Sequence, residues 1–282
     1  MPITVCAYDG PQKSGTMSIT STQVDRATIQ FHEAASSLKP HVGCFWVVTA
    51  ERDGSIHIVP DGSTAISMQF QGSEPSEWFL RGPLVRPETQ RYPSGATVIG
   101  IRLRPAVAFM LSGIAAHAMV GRHLRLSELE AFHELVATQP SPSTPAETID
   151  ALQRFLIGRL QDANVHGVVA AAIREIERAR GCLRVSEIAA RCEVSPRHLH
   201  RLMRTWVGYG PKRFASIVRF QETLSRLEHA PGRSAATLAP ETGFFDQAHL
   251  STDVTRFAGA TPRNLASSSV AEFSKTRCDD PP

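Results

Sequence analysis

One pattern constrains this 282-residue chain more than any other, and it occurs twice, 50 residues apart, counted from Ala189 to Ala239. In the first copy Ile188 and Ala189 lie on a short helix, and the small Ala189 lets a second helix cross it closely. Ser195-Pro196 then opens that second helix, Ser as N-cap and Pro at the first helical position. Leu199, Leu202, Met203 and Trp206 recur at i, i+3, i+4 and i+7, so they face inward. Arg197, His200, Arg201 and Arg204 face outward. A helix with an apolar back and guanidinium groups in front suits a major groove, where Arg bridges guanine O6 and N7 or holds phosphates. Taken singly, the pattern also fits an ordinary helical hairpin with a solvated arginine face.

The second copy tips that balance. Ser234 to Ala239 repeats the capped helix ending in Leu-Ala, Gly243 stands where the turn needs a permissive backbone, and Phe244 takes the place of Val194. The next helix starts near Asp246 and buries Leu250, Val254 and Phe257. Gly259-Ala260-Thr261-Pro262 closes it, as Gly208-Tyr209-Gly210-Pro211 closes the first. Between the copies, Pro211 to about His229 reads as one helix with Phe214, Ile217, Val218, Leu224 and Leu227 on one face. At about 1.5 Å per residue it spans nearly 30 Å. Such a helix suits two readers held about one duplex turn, near 34 Å, apart.

These residues carry a resemblance. Leu183-Arg184-Val185-Ser186-Glu187-Ile188-Ala189 followed by Ser195-Pro196-Arg197-His198-Leu199-His200-Arg201-Leu202 resembles the first helix-turn-helix of AraC-type transcription regulators. Thr242 to Leu250 with Gly259-Ala260-Thr261-Pro262 resembles that family's C-terminal signature, so the likeness covers about residues 168 to 266. More loosely, residues 38–130 resemble a β-rich domain of undefined function that precedes this DNA-binding unit in some members, through Cys44-Phe45-Trp46, Pro60-Asp61-Gly62 and Gly100 to Pro105. The resemblance implies that both units enter adjacent major grooves, and that the N-terminal domain senses a small molecule or dimerises. Three departures from the family pattern matter. Glu193 replaces the usual turn Gly, and a positive φ there costs about 1 kcal/mol. Pro240 removes a backbone bond inside the second unit's first helix. Thr252 replaces the Arg expected after Leu250-Ser251, with the acidic Asp253 beside it.

The N-terminal half reads differently. Gly43–Val48, Ser55–Val59, Thr64–Phe70 and Ala96–Leu103 are short apolar or alternating runs bounded by Gly, Pro or Asp, as in antiparallel sheets. Residues 105–136 look helical at both ends. Ala137 to Pro145 has three prolines in six residues and nothing large and apolar, which marks a linker. Beyond it Ile149, Leu152, Leu156 and Leu160 share one helical face, and a second helix from Val168 carries Val169, Ile173 and Ile176. The expected architecture is therefore α+β. A β-rich domain (1–136) is followed by a Pro/Ser linker (137–147) and a coupling helix (148–167). An all-α domain with two helix-turn-helix units joined by a long helix (168–266) comes next, then a Ser-rich tail (267–282).

Charge and chemistry agree with a polyanion partner at the C-terminal end. Residues 1–170 hold 13 Lys/Arg and 15 Asp/Glu, a net −2, whereas residues 171–282 hold 17 and 12, a net +5. No apolar run is long enough to span a bilayer. The five cysteines form no disulfide framework and fit a reducing cytoplasm. No nucleophile elbow or phosphate loop is present. His41 and Cys44, with His32 and His57, lack metal-site spacing, and Asp61 in Pro60-Asp61-Gly62 reads as a turn residue. Trp46, Trp78 and Phe79 read as core, with a pocket lining as the other reading.

The expectation is a bacterial, cytoplasmic, effector-responsive activator or repressor that needs no cofactor or metal. Its partners are double-stranded DNA and RNA polymerase, with a small-molecule effector and a second copy of the chain as candidates. Arg197, His200 and Arg201 would read the first groove, and Gln247, Ser251 and Thr252 the second. Ser195, Arg204 and Lys212 would hold phosphates. From Ser195 to Thr205 the charge is +3, against −1 from Asp246 to Arg256, so the first unit should dominate specificity. The alternative is a repair or hydrolytic enzyme on residues 1–136 fused to a DNA-binding module.

Overall fold

The computed structural model describes residues 19–24, 27–70, 77–138, 144–229 and 234–267. In the N-terminal half the strands are β1 (Ile19–Val24), β2 (Ala27–His32), β3 (Val42–Ala50), β4 (Gly54–Ile58), β5 (Thr64–Phe70), β6 (Glu77–Arg81), β7 (Glu88–Tyr92), β8 (Thr97–Leu103) and β9 (His123–Arg125). Seven of them pair antiparallel in the order β1-β2-β3-β8-β5-β6-β9, and β4 pairs with β7 in a separate two-stranded sheet. The helices of this half are α1 (Val107–Ser112), α2 (Ala116–Met119), α3 (His133–Thr138) and α4 (Pro145–Leu160).

Strand β3 explains the layering. Its run Val-Gly-Cys-Phe-Trp-Val-Val is buried throughout because the large sheet is covered on both faces. Phe45 and Val47 pack with Ile66, Leu80 and Ile101 against Val107, Leu111 and Leu135 of the helical layer. Cys44, Trp46 and Val48 pack on the other face with Ile56, Ile58 and Tyr92 of the β4-β7 sheet. Val42 shares the helical side with Phe45 although they are an odd three positions apart, because the register shifts between Val42 and Cys44. Gly100 lies opposite Trp46, and a Cβ there would sit inside the indole ring, so only glycine closes this pair.

The linker expected over 137–147 is narrower. Helix α3 runs to Thr138, and α4 begins at Pro145, with Thr144 Oγ1 accepting from Glu147 N and Glu147 Oε2 accepting from Thr144 N. Residues 139–143 lie outside the described residues, as does nearly all of the tail expected over 267–282. Ile149, Leu152, Leu156 and Leu160 do form one face, and all four are buried in the N-terminal core. The stripe read as a coupling surface is thus covered by its own half of the chain.

The C-terminal half is helical: α5 (Gly167–Arg178), α6 (Val185–Arg191), α7 (Pro196–Val207), α8 (Pro211–His229), α9 (Ala235–Glu241), α10 (Gln247–Ala258) and α11 (Pro262–Ser267). Its core joins Ile176, Ile188, Leu199, Met203, Phe214, Phe220, Leu250 and Phe257, and it is continued by Val59 and Ala106 from the N-terminal half. The two halves meet at several further points. Phe109 stands edge-on to Trp206 with ring centroids 4.6 Å apart, Gln221 Nε2 donates to Pro60 O at 2.7 Å, and His57 Nε2 lies 2.9 Å from Ala258 O. Among the described residues no helix is long and apolar enough to cross a membrane.

Candidate nucleic-acid interface

The second helices of the two units, α7 and α10, are built by the same local devices. Ser195 Oγ accepts from His198 N at 3.2 Å to cap α7, and Asp246 Oδ1 accepts from His249 N at 2.7 Å to cap α10. Each helix has 12 residues and ends on a left-handed glycine, Gly208 or Gly259. In each turn a backbone N–H returns to the small residue of the preceding helix: Val194 N to Ala189 O at 3.0 Å, and Phe244 N to Ala239 O at 2.9 Å. The residue before it has positive φ in both copies, +56° at Glu193 and +76° at Gly243. Glu193 therefore holds a conformation that glycine adopts without a Cβ penalty. Helix α9 forms over Ala235–Glu241 with Pro240 inside it, and Thr242 recovers the end by donating both N–H and Oγ1–H to Leu238 O at 3.0 and 2.7 Å.

Helix α8 binds the two units together. Its 19 residues run about 28 Å at 1.5 Å per residue. Phe214 and Ile217 serve one end of the core, while Phe220 meets Phe257 of α10 at 5.3 Å between centroids. The buried Glu222 accepts from Arg180 and from Arg226, both at 2.9 Å, and Arg226 continues to Glu241 of α9 at 2.9 Å. This ionic chain links the loop after α5, the central helix and the second unit. Other arginines are tied within the fold as well. Arg191 and Arg178 hydrogen-bond Glu175 and hold its carboxyl below the usual range, and Arg219 donates to Gly181 O at 2.6 Å. The basic excess of this half is thus partly structural.

Three arginines lie together on the surface of α7, while Arg174 and Arg184 are exposed elsewhere in this half. Arg197, His200, Arg201 and Arg204 are exposed, and Leu199, Met203 and Val207 are buried behind them. Arg197, His198, His200, Arg201 and Arg204 line an open groove of about 510 Å³ with Ser195 and Thr205. Arg201 Nη2 lies 3.1 Å from His198 Nδ1, which steers the guanidinium along the helix. Lys212 is exposed at the start of α8 and lies outside the groove lining.

The second face differs from expectation. Gln247 and Thr252 are exposed and Ser251 is half-buried, but Thr252 Oγ1 donates to Ala248 O at 2.8 Å. Asp253, one of the two acids in the charge sum of this helix, is only 8% exposed and lies 3.9 Å from both His249 Nε2 and Arg256 Nη1. Asp246 is the cap. Neither acid forms an outward acidic row, so the charge sum over this helix overstates its repulsion of DNA. A residue absent from the expected site stands out instead: Phe245, between the turn and the cap of α10, is 92% exposed. Phe244 fills the core position equivalent to Val194, so the aromatic one step further along the turn must point away from it.

The remaining candidates have structural roles. Asp61 accepts from Ser63 N and Oγ and from the Arg102 guanidinium. Trp46 and Trp78 are buried on opposite faces of the large sheet. The cavity beside Trp46 is about 10 Å³, room for at most one water. Burial pushes the Cys192 thiol up, away from reactivity. Among the described residues no three His, Cys, Asp or Glu side chains converge as a metal site.

Comparison with known families meets this geometry at two places. The family described as "Helix-turn-helix domain" matches residues 188–268, and "Domain of unknown function (DUF6597)" matches residues 30–125. The chain carries an AraC-type helix-turn-helix domain behind a domain of undefined function. Its matched helix-turn-helix region takes in α7, α8 and α10, and the other match covers most of the two-sheet domain. No curated protein matches the chain. Among solved structures, ToxT from Vibrio cholerae aligns over 79% of this chain and 97% of its own, at 8% identity and a TM-score of 0.45. The C-terminal domain of AraT, a response regulator from Geobacillus stearothermophilus, covers 39% of this chain and 93% of its own at 18% identity and a TM-score of 0.36. A probable AraC family transcriptional regulator from Rhodopseudomonas palustris covers 37% and 98% at 22% identity and a TM-score of 0.34. Likeness at that level carries no residue roles across.

Proposed function

We propose that the chain is an AraC-type transcription regulator that binds one specific duplex by placing α7 and α10 in successive major grooves near a promoter, where it recruits or blocks RNA polymerase. The observation that carries this reading is the pair of equally capped helices presented on one rigid α8 of about 28 Å, close to the rise of one duplex turn. Arg197 and Arg201 are the proposed base readers, with His200 beside them. Ser195, Arg204 and Lys212 are proposed phosphate contacts. In the second groove Gln247 and Ser251 are joined by Phe245, whose exposed ring suits a thymine methyl. Thr252 has a lesser part because its hydroxyl proton is already donated.

The N-terminal domain is proposed as an effector-sensing or dimerising module. Its contacts on Trp206 and Gln221 give it a physical path to α7 and α8. Selection of bound sequences from random duplex DNA tests the central claim. The expected product is a bipartite site whose halves lie about 10 base pairs apart, centre to centre. Enrichment of no sequence, or of a single short element, would overturn it.

A further inference from the structure

The groove in front of α7 has one wall that does not belong to the helix-turn-helix domain. His117, on α2 of the N-terminal half, lines it together with Arg197, His198, His200, Arg201 and Arg204. No acidic side chain is among the lining residues, so the groove as a whole fits a polyanion. Helix α2 is held firmly beside the end of α7. A Cβ at Gly208 would lie 2.9 Å from Pro83 Cγ, 3.1 Å from Val120 Cγ2 and 3.3 Å from Ala116 O, and the Phe109–Trp206 contact packs the same corner. His117 and Ala118 are both exposed. Arg122 Nη1 donates back to Ala118 O at 3.3 Å, which keeps a guanidinium one residue from His117.

We propose that the N-terminal domain itself touches DNA, with His117 donating a hydrogen bond to a backbone phosphate that flanks the half-site read by α7. A reading helix that enters the major groove leaves the bordering phosphates to neighbouring elements. Here the element at the C-terminal end of α7 is α2, and it presents an imidazole N–H rather than an acid or an apolar side chain. The duplex seated on α7 thus spans both domains, and affinity at the first half-site depends on the two being docked. This inference rests on the DNA-binding reading of α7 and deepens it.

The test uses the full chain and a duplex carrying its selected site, read by fluorescence anisotropy across a salt series. His117→Glu should weaken binding about tenfold by placing an acid against the phosphate. His117→Ala should weaken it about threefold by removing the hydrogen-bond donor. His117→Arg should bind as well as the native chain or better. Replacing the flanking phosphate by a neutral methylphosphonate should weaken the native chain and leave His117→Ala unchanged. His117 is exposed, so none of these variants should alter folding. Equal binding by the native chain and the Glu and Ala variants, with no methylphosphonate position separating them, would overturn the inference while the DNA-binding reading stands. Failure of the native chain to bind any duplex would overturn both.

Discussion

In the first helix-turn-helix unit the turn carries Glu193 at φ +56°, the reading helix is capped by a serine hydroxyl, and its front bears exposed Arg197, Arg201 and Arg204. Fifty residues further on, the turn carries Gly243 at φ +76°, the cap is a carboxylate, and the front bears exposed Phe245, Gln247 and Thr252. The backbones agree bond for bond at the turn, as the returns to Ala189 O and Ala239 O show. The faces do not agree at all. Caps, small crossing residues and buried Leu and Phe positions set the backbone. The outward positions carry none of that load, so they diverge freely. The first unit therefore presents guanidinium groups, and the second an apolar ring with neutral polar groups.

The largest expected effect breaks this comparison at its strong side. Each good Arg–guanine pair gives roughly 1–3 kcal/mol of discrimination. Arg197→Ala or Arg201→Ala should thus cost about tenfold or more in affinity, confined to bases in one half of the selected site. Binding to a library of single-base site variants measures it. A uniform loss across all positions would make these arginines phosphate contacts instead.

The next effect concerns the turns. Glu193→Gly removes the Cβ penalty at positive φ, and the second unit already has glycine there. The chain should gain about 1 kcal/mol of stability, visible as a melting temperature a few degrees higher. DNA affinity should not change. A fall in melting temperature would mean that Glu193 makes a compensating contact. Comparable in size is the effect of Phe245→Ala. The ring is 92% exposed in the free chain, so its loss should leave stability unchanged. If it covers a thymine methyl in the complex, burial of about 40 Å² of apolar surface at roughly 25 cal/mol per Å² predicts a loss near 1 kcal/mol, about fivefold. That loss should appear only in the half-site opposite the arginine half. Loss of melting temperature instead would return Phe245 to a structural role.

The legibility of these features follows from how local their causes are. The bounds of α7, α8 and α10 were readable because Ser195-Pro196, Pro211, Asp246, Gly208 and Gly259 act within one turn of chain. Strands β3, β4, β5 and β8 were readable from apolar runs between turn residues. Strands β6 (Glu-Trp-Phe-Leu-Arg) and β7 (Glu-Thr-Gln-Arg-Tyr) were not, because polar residues dominate their exposed faces. The stripe on α4 announced a partner without saying which, since periodicity describes one surface and not its mate. Helix α2, four residues long, is too short to have a period, so the approach of His117 to α7 was invisible. Asp253 is different, because the signal was present. Leu250, Asp253, Val254 and Phe257 lie at i, i+3, i+4 and i+7, the inward stripe of α10, and position outweighs the charge of the residue that occupies it.

The smallest effect is the most discriminating for the weak side. Thr252 stands where the AraC-type resemblance implies an arginine, and its hydroxyl donates to Ala248 O. A hydroxyl bonded to its own helix has little to offer a base edge or a phosphate. Thr252→Ala should therefore change affinity less than twofold. It should also raise stability slightly, by up to about 0.5 kcal/mol, because alanine is the better helix former. Thr252→Arg restores a guanidinium on the exposed face. Asp253 is turned inward and already lies near His249 and Arg256. Binding should strengthen about threefold, with a steeper salt dependence. Both variants are compared with Arg201→Ala on the same duplex. If Thr252→Ala hurts as much as Arg201→Ala, the hydroxyl breaks its bond to Ala248 on binding, and the two faces contribute alike despite their different chemistry. If Thr252→Arg gains nothing while Thr252→Ala is silent, α10 stands back from the groove, and the second unit holds DNA through its cap and Phe245 alone.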